Sequence, residues 1–418
     1  METFRRFEDE TSNLRQVLGW CLADGDAETG LRLCTAMRPV WIVQGSFGEG
    51  GAWMDAYLDL TAPVPDAVLG PALVGRAQLA LPTDPAAAGQ GAKAGLELSR
   101  AAGLDFWTAA ALNLLAEVAL HAGQADEADA RAADAQAIAT ASGDGFNASY
   151  ASGTRAAAAA VRGNLEEALR LGEAALAIAR RIDQQWAVAR TLLGLGDLAR
   201  LTGNPARARQ RYHEALSILR EISARPEMAR CLAGLGRIET GQGELSAARQ
   251  HLSESVELSQ FTGSRIGVIR GLECFSGLAI AQGKAELAVQ LAAAAAALRR
   301  EANFPEASAA RTERLLAAAG LDQSVVAELW AAGSALTSDA GVALALDGTE
   351  APGQAEAELT ARELEIAAAI TRGLSNKAIG DELGIATTTV ARHVANIMGK
   401  LGFTSRLQVA RWAAERAD

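Results

Sequence analysis

A chain of 418 residues is long enough for two or more domains with sizeable cores. Half of its residues are apolar but only 5% are aromatic, and alanine dominates, which points to an all-α protein and excludes a sheet-based one. The net charge of −11 excludes a chain that binds nucleic acid along its whole length, since phosphate would repel most of it.

No run of about eighteen apolar residues is free of charge, and the N-terminus lacks a signal-peptide pattern, so a cytoplasmic protein with no membrane contact is expected. Cys21, Cys34, Cys231 and Cys274 have no CxxC spacing and sit in apolar helical pattern, as buried, reduced thiols do. His121, His213, His251 and His393 share no ligand spacing. Neither a metal nor a cofactor is implied.

The body reads as a repeat array. Gly123, Gly163, Gly203, Gly243 and Gly283 fall forty residues apart, and an alanine follows each by five: Ala128, Ala168, Ala208, Ala248 and Ala288. Thr83 and Ala88 extend the phase upstream, and Gly45 and Gly50 look like a shifted copy. Such a period means stacked units, each too small to bury its own apolar face. Within one unit lie Leu192, Leu195, Gly196, Gly203, Ala208, Tyr212 and Ala215; the next gives Leu232, Leu235, Gly236, Gly243, Ala248, Leu252 and Ser255. These spacings resemble the tetratricopeptide signature, with a period longer than the usual thirty-four residues, so each helix should be longer by almost a turn. Gly196 and Ala208 should let paired helices approach closely, and Gly203 should end its helix in a left-handed conformation. The stretch 142–162 matches poorly.

Arg190, Arg230 and Arg270 share the forty-residue period, each two residues before a core leucine (Leu192, Leu232, Leu272) and about 200° away from it round the helix. They either form a basic ladder on the concave side for a partner or ligand, or pair within their own repeats with acids such as Asp197 or Glu273.

Downstream, 346–358 combines Pro, Gly and acidic residues without apolar periodicity, as a flexible linker does. The division expected is a body over 1–335, a linker over 336–357 and a head over 358–418.

The head opens with Thr360 followed three residues later by Glu363, a capping box. Gly373-Leu374 stops that helix, Ser375 caps a second over Asn376-Lys377-Ala378-Ile379, and Gly384 turns the chain into a third from about Thr387 through Leu401. Two short helices joined by a glycine turn form a helix-turn-helix. Val390, Val394, Ile397 and Leu401 mark the buried face of the third helix, packed on Leu374, Ile379 and Leu383. Residues 359–418 hold eight Lys and Arg against six Asp and Glu, so the preceding 358 residues carry −13 and only the head suits phosphate.

Leu359-Thr360, Arg362-Glu363, the run Gly-Leu-Ser-Asn-Lys at 373–377, Thr389-Val390, His393, Lys-Leu-Gly at 400–402, Arg406 and Gln408 together resemble the LuxR-type DNA-binding domain. The resemblance implies a transcriptional regulator that binds double-stranded DNA as a homodimer, paired through a last helix near 405–414. Thr387, Thr388 and Thr389 stand at the start of the third helix, where hydroxyls and free N–H groups meet phosphate. Lys377 and Lys400 are further phosphate ligands, Arg392 can fork onto guanine O6 and N7, Asn396 reaches the groove, and His393 either contacts DNA or positions the helix. The family has a basic residue where Ala391 stands and Ser where Ala386 stands, and Ala395 offers no hydrogen bond, so fewer contacts and a gentler salt dependence are expected.

The flanks add to the resemblance. Asn13-Leu14-Arg15, Trp20, Gly25-Asp26-Ala27, Leu31-Arg32-Leu33, Trp41, Gly45 and Trp53, and later Trp330, Gly333, Ala335-Leu336 and 340–346, are similar to the repeat region of large ATP-dependent LuxR-type regulators. No stretch reads GxxxxGK[ST], so either a repeat-plus-head regulator or a parent shorn of its ATPase is expected. The body would then sense a protein, peptide or small-molecule signal. An alternative is an interaction scaffold with a vestigial head. An enzyme ranks last, because no nucleophile–base pair or catalytic carboxylate cluster stands out.

Overall fold

The computed structural model describes residues 2–302, 304, 309–347, 359–372, 374, 376–383, 389–390, 393–394, 397, 409 and 412–413. Its regular structure is helical throughout these residues, and it divides into two units, Met1–Ala345 and Leu346–Asp418.

The first unit begins with α1 (Glu2–Ala23), α2 (Ala27–Gln44), α3 (Phe47–Leu58) and α4 (Asp66–Ala80). The array proper follows as α5 (Pro85–Ala101), α6 (Asp105–His121), α7 (Ala125–Ala141), α8 (Gly145–Val161), α9 (Leu165–Arg181) and α10 (Gln185–Leu201). It continues through α11 (Pro205–Glu221), α12 (Arg225–Gln242), α13 (Leu245–Phe261), α14 (Arg265–Ala281) and α15 (Ala285–Glu301). Each of these helices starts 20 residues after the one before, and all have 17 residues except α12 with 18. A helix of that length is about 25 Å long, almost a turn more than the usual tetratricopeptide helix, as the forty-residue period requires.

The joints explain the regularity. Gly123, Gly163, Gly203, Gly243 and Gly283 all take φ between +73 and +80°. At Gly203 the amide donates to Arg200 O and the next amide, of Asn204, donates to Ala199 O, which closes the helix in a Schellman turn. A second series, out of phase by 20 residues, does the same at Gly103, Gly143 and Gly263, with Asp183 (φ 52) and Ser223 (φ 54) in the two positions where glycine is missing. Because those two joints lack glycine, the second series does not stand out in the sequence. The stretch at 142–162, a weak match to the repeat signature, forms a regular α8.

Close packing depends on absent side chains. Tyr212 is fully buried between Gly196 and Gly234, where an added Cβ would come within 2.7 and 2.5 Å of its ring. Its hydroxyl bonds Asp197 at 2.7 Å. Leu192, Leu232 and Leu272 are fully buried, as the period predicts. The first unit also bends back on itself. Arg225 Nη1 donates to Gln44 O at 3.2 Å, and the rings of His121 and Phe304 meet edge to face at 6.0 Å.

After the array come α16 (Ala309–Ala319), α17 (Gln323–Ser334) and α18 (Ser338–Asp347). Sequence reading assigns 336–357 to the linker, yet α18 occupies much of its first half. Val342 and Ala345 are buried, and Asp339 accepts from Gln260 at 3.2 Å, so this helix is anchored on the array. Its short apolar run, Gly341 to Leu346, is what the acidic and Pro-Gly composition just beyond it masks. Residues 348–358 lie outside the described residues. Among the described residues no helix is long and apolar enough to cross a membrane.

The second unit holds α19 (Ala361–Thr371) and α20 (Asn376–Leu383), with further helical residues at 389–390, 393–394, 397, 409 and 412–413. Ile366, Ile370, Ile379, Val390, Val394, Ile397 and Val409 form its buried core, with Leu359, Leu374, Leu383 and Trp412 packed against it.

Candidate DNA-binding head and repeat-body chamber

In the head, the capping box is complete: the Thr360 hydroxyl accepts from the Glu363 amide, and the Glu363 carboxylate accepts from the Thr360 amide at 2.8 Å. That fixes where α19 starts and presents Ile366 and Ile370 to the core. Val390, Val394 and Ile397 are buried on one face, which sets the rotation of the third helix about its axis. On it, Thr389 and His393 are half-buried, and His393 Nδ1 has no hydrogen-bond partner among the described residues. Lys377 lies on α20. Thr387, Thr388, Arg392, Asn396 and Lys400 lie outside the described residues, as do Ser375, Ala386, Ala391, Ala395 and Leu401.

Arg362 has a task that sequence reading missed. Its Nη2 donates to the Leu383 carbonyl at 2.6 Å, satisfying an orphan acceptor at the end of α20 and tying that helix to α19. Arg372 pairs with Glu382 at 2.6 Å across the same two helices.

The first unit contains a cavity of about 860 Å³. It is lined mainly from α2, α4, α6, α8, α10, α12 and α14, the inner helices of the hairpins, with Phe47 at the start of α3 and a few joint residues such as Asp183 and Ile222 completing the wall. One wall is aromatic: Trp186 stacks with Phe146 at 6.0 Å and with Tyr150 at 6.3 Å. Arg190 lies over the Tyr150 ring at 3.6 Å and pairs with Glu117 at 2.5 Å, a residue 73 positions away. The guanidinium of Arg190 holds the Glu117 carboxyl below its ordinary value, although burial opposes this most strongly.

The three periodic arginines all line this cavity but differ in company. Arg190 has Glu117, and Arg230 has Asp197 at 2.6 Å, so an acid expected to pair within its own repeat is instead bound by the arginine of the next one. Arg270 has no ion pair among the described residues. Glu273, the other acid expected nearby, pairs with Arg299 at 2.6 Å instead. Burial, then Arg230 and Arg237, push the Arg270 guanidinium down to about 10.

Several lining groups escaped sequence reading. Arg38 sits over Trp107 at 4.7 Å with Nε and Nη1 buried and unpaired, and burial lowers its guanidinium to about 10. Gln78 Oε1, Asn113 Oδ1, His121 Nδ1 and Glu227 Oε2 are also buried without a partner among the described residues. Burial raises the Glu227 carboxyl to about 7, with its own backbone amide, Arg190 and Arg230 pulling it back. One of these left a trace in the sequence: Asn113 interrupts an otherwise apolar run over 109–116.

Comparison with known proteins follows this division. Residues 357–413 match the family of bacterial regulatory proteins of the luxR type, and residues 147–221 and 187–260 match the tetratricopeptide repeat. A Mycobacterium bovis protein described as an HTH-type transcriptional regulator is 31% identical over 159 residues, covering 35% of this chain and 18% of that protein. The transcriptional regulatory protein LiaR of Bacillus subtilis is 49% identical over 55 residues, covering 13% of this chain and 26% of that protein. Among solved structures, a Rap protein complexed with Competence and Sporulation Factor superposes with a TM-score of 0.51 at 15% identity, over 77% of this chain and 99% of that one. At that identity the likeness shows the fold alone. The class is thus a helical-hairpin solenoid that ends in a helix-turn-helix head. The chain carries a luxR-type DNA-binding domain at residues 357–413 behind a tetratricopeptide-like body, and it spans about a fifth of the length of the Mycobacterium relative that it matches.

Proposed function

We propose that the protein reads a specific DNA sequence in the cytoplasm as a homodimer, and that its repeat body receives the protein, peptide or small-molecule signal that governs this binding. The observation that carries the reading is one chain holding both a luxR-type head and a body with a half-open cavity of about 860 Å³ whose polar lining is in part unpaired among the described residues. Lys377, Thr387, Thr388, Thr389 and Lys400 meet phosphate, with His393 at the interface positioning the helix; Arg392 and Asn396 face bases. Arg190, Arg230 and Arg270 belong to the receiving surface.

A gel-shift of the full chain against genomic fragments tests this. Discrete bands should resist competitor DNA, and footprints should span two half-sites about one helical turn apart. Arg392→Ala should cost about 1–3 kcal/mol and relax the preference at one base pair. Weak binding blind to sequence would leave the other reading, an interaction scaffold whose head is vestigial.

A further inference from the structure

We propose that the cavity binds one small anionic molecule with a flat apolar body, its negative charge met by Arg38 and Arg270 and its body lying against Phe146, Trp186 and Tyr150. This deepens the reading of the body as receiver and rests on it for its purpose, though not for its chemistry.

The charge account decides the sign of the ligand. Among the acids that line the cavity, Glu117 is neutralised by Arg190, and Asp183 is exposed at a turn. Glu227 sits where burial favours its protonated form. Among the cations, Arg190 and Arg230 already hold carboxylates, whereas Arg38 and Arg270 hold none among the described residues. Two desolvated guanidinium groups without an anion are costly in the ligand-free protein, and an arriving carboxylate or phosphate removes that cost. A cationic ligand would meet the opposite balance.

Size and shape follow from the wall. A volume of about 860 Å³ falls in the range of small-molecule sites, roughly 300–1,000 Å³. The stacked rings offer an apolar plane, and Gln78, Asn113 and His121 line the cavity beside it, each with a buried polar atom that has no partner among the described residues. Unpaired buried polar atoms are rare in folded proteins, so their gathering on one cavity marks a binding surface.

The test uses the full chain and two naphthalene probes, anionic 8-anilinonaphthalene-1-sulfonate and uncharged N-phenyl-1-naphthylamine. The anion should bind one per chain and about tenfold or more tighter than the neutral probe, as charge-assisted bonds imply. Arg38→Met with Arg270→Met should reduce that preference to about twofold while the neutral probe still binds, and Trp186→Ala should weaken both. Should the double variant fail to fold by circular dichroism, the single variants Arg38→Gln and Arg270→Gln should each remove part of the preference. Equal binding of both probes by the wild-type chain, or a preference untouched by the arginine variants, overturns the proposal.

Competition then separates the sources of the anion: 3-phenylpropionate, phenyl phosphate, and a phenylalanine-containing tetrapeptide with a free or an amidated C-terminus. Displacement by any anionic member supports the class and names the source; displacement by none overturns it. A gel-shift with bound anion keeps the two readings apart. Unchanged DNA binding alongside one-to-one anion binding would overturn the receiver reading and leave the site standing.

Discussion

The inner and outer helices of the repeat body use the same residues for different ends. On the outer row, Arg207 reaches Glu173 at 3.2 Å and Arg170 reaches Glu167 at 2.5 Å, with the arginines 52 and 65% exposed. On the inner row, Arg190 and Glu117 meet at 2.5 Å with both side chains about one-fifth exposed. Water screens the first kind of pair and spares little energy to it. It scarcely reaches the second, where a missing partner leaves a charge in a poor solvent. The outer row is therefore a solubilising surface, and the inner row is an electrostatically sensitive one.

The sharpest way to break this comparison is Arg190→Leu. It strands the Glu117 carboxylate and should cost about 3 kcal/mol or more, read from urea unfolding. Adding Glu117→Gln should recover part of the loss. A change below about 1 kcal/mol would mean that the inner row is screened like the outer.

Glu227→Gln comes next. The Glu227 carboxyl titrates near 7 when folded and at its ordinary value of 4.5 when unfolded. Between those values the unfolded chain has given up its proton while the folded chain still holds one. Stability therefore falls as pH rises from about 4.5 to about 7, and the penalty persists above that. The glutamine variant should abolish this penalty, stabilising the protein at pH 8 by about 1–3 kcal/mol and changing little at pH 4.5. Thermal melts at the two pH values check it; equal shifts at both would show that burial of the carboxyl plays no part.

Much of this was legible in the sequence, for identifiable reasons. Helical hairpins of forty residues follow from the glycine joints, because a left-handed turn needs that residue at a fixed place. The head follows from the capping box and from Val390, Val394 and Ile397, which are local signals with helical spacing. The inner acids were not legible, because Glu117 and Arg190 are 73 residues apart and meet only once the array has bent. Nor was Arg38, whose isolation depends on what the fold fails to bring to it. Helix α18 was misplaced since six apolar positions beside a Pro-Gly segment carry too little pattern.

The joints between the rows sharpen the comparison on a smaller scale. Inner helices hand over to outer ones at glycines throughout, from Gly123 to Gly283, whereas the return joints include Asp183 and Ser223 at φ 52 and 54. A side chain in that region costs about 1 kcal/mol, less when it is Asp. Ser223→Gly should thus raise stability by about 0.5–1 kcal/mol, and Asp183→Gly by less, in thermal melts. If both variants are destabilising, the unfolded-state entropy of glycine outweighs the relief.

The smallest effect belongs to the outer row. Glu173 accepts from Arg207 at 3.2 Å and from Arg211 at 3.1 Å, and Arg211 also has Glu214 at 3.6 Å. Glu173→Ala leaves Arg207 in water and Arg211 with its second acid, so no charge is stranded. The expected cost is below about 0.5 kcal/mol at low salt and should vanish in about 0.5 M sodium chloride, where exposed charges are screened within a few ångströms. The loss caused by Arg190→Leu should persist at the same salt, because both side chains are about four-fifths buried and a partly buried pair is screened much less than an exposed one. Were Glu173→Ala to cost as much as Arg190→Leu, or both losses to fade together with salt, position in the row would not decide the strength of these pairs. The case for an anion completing the inner row would weaken with it.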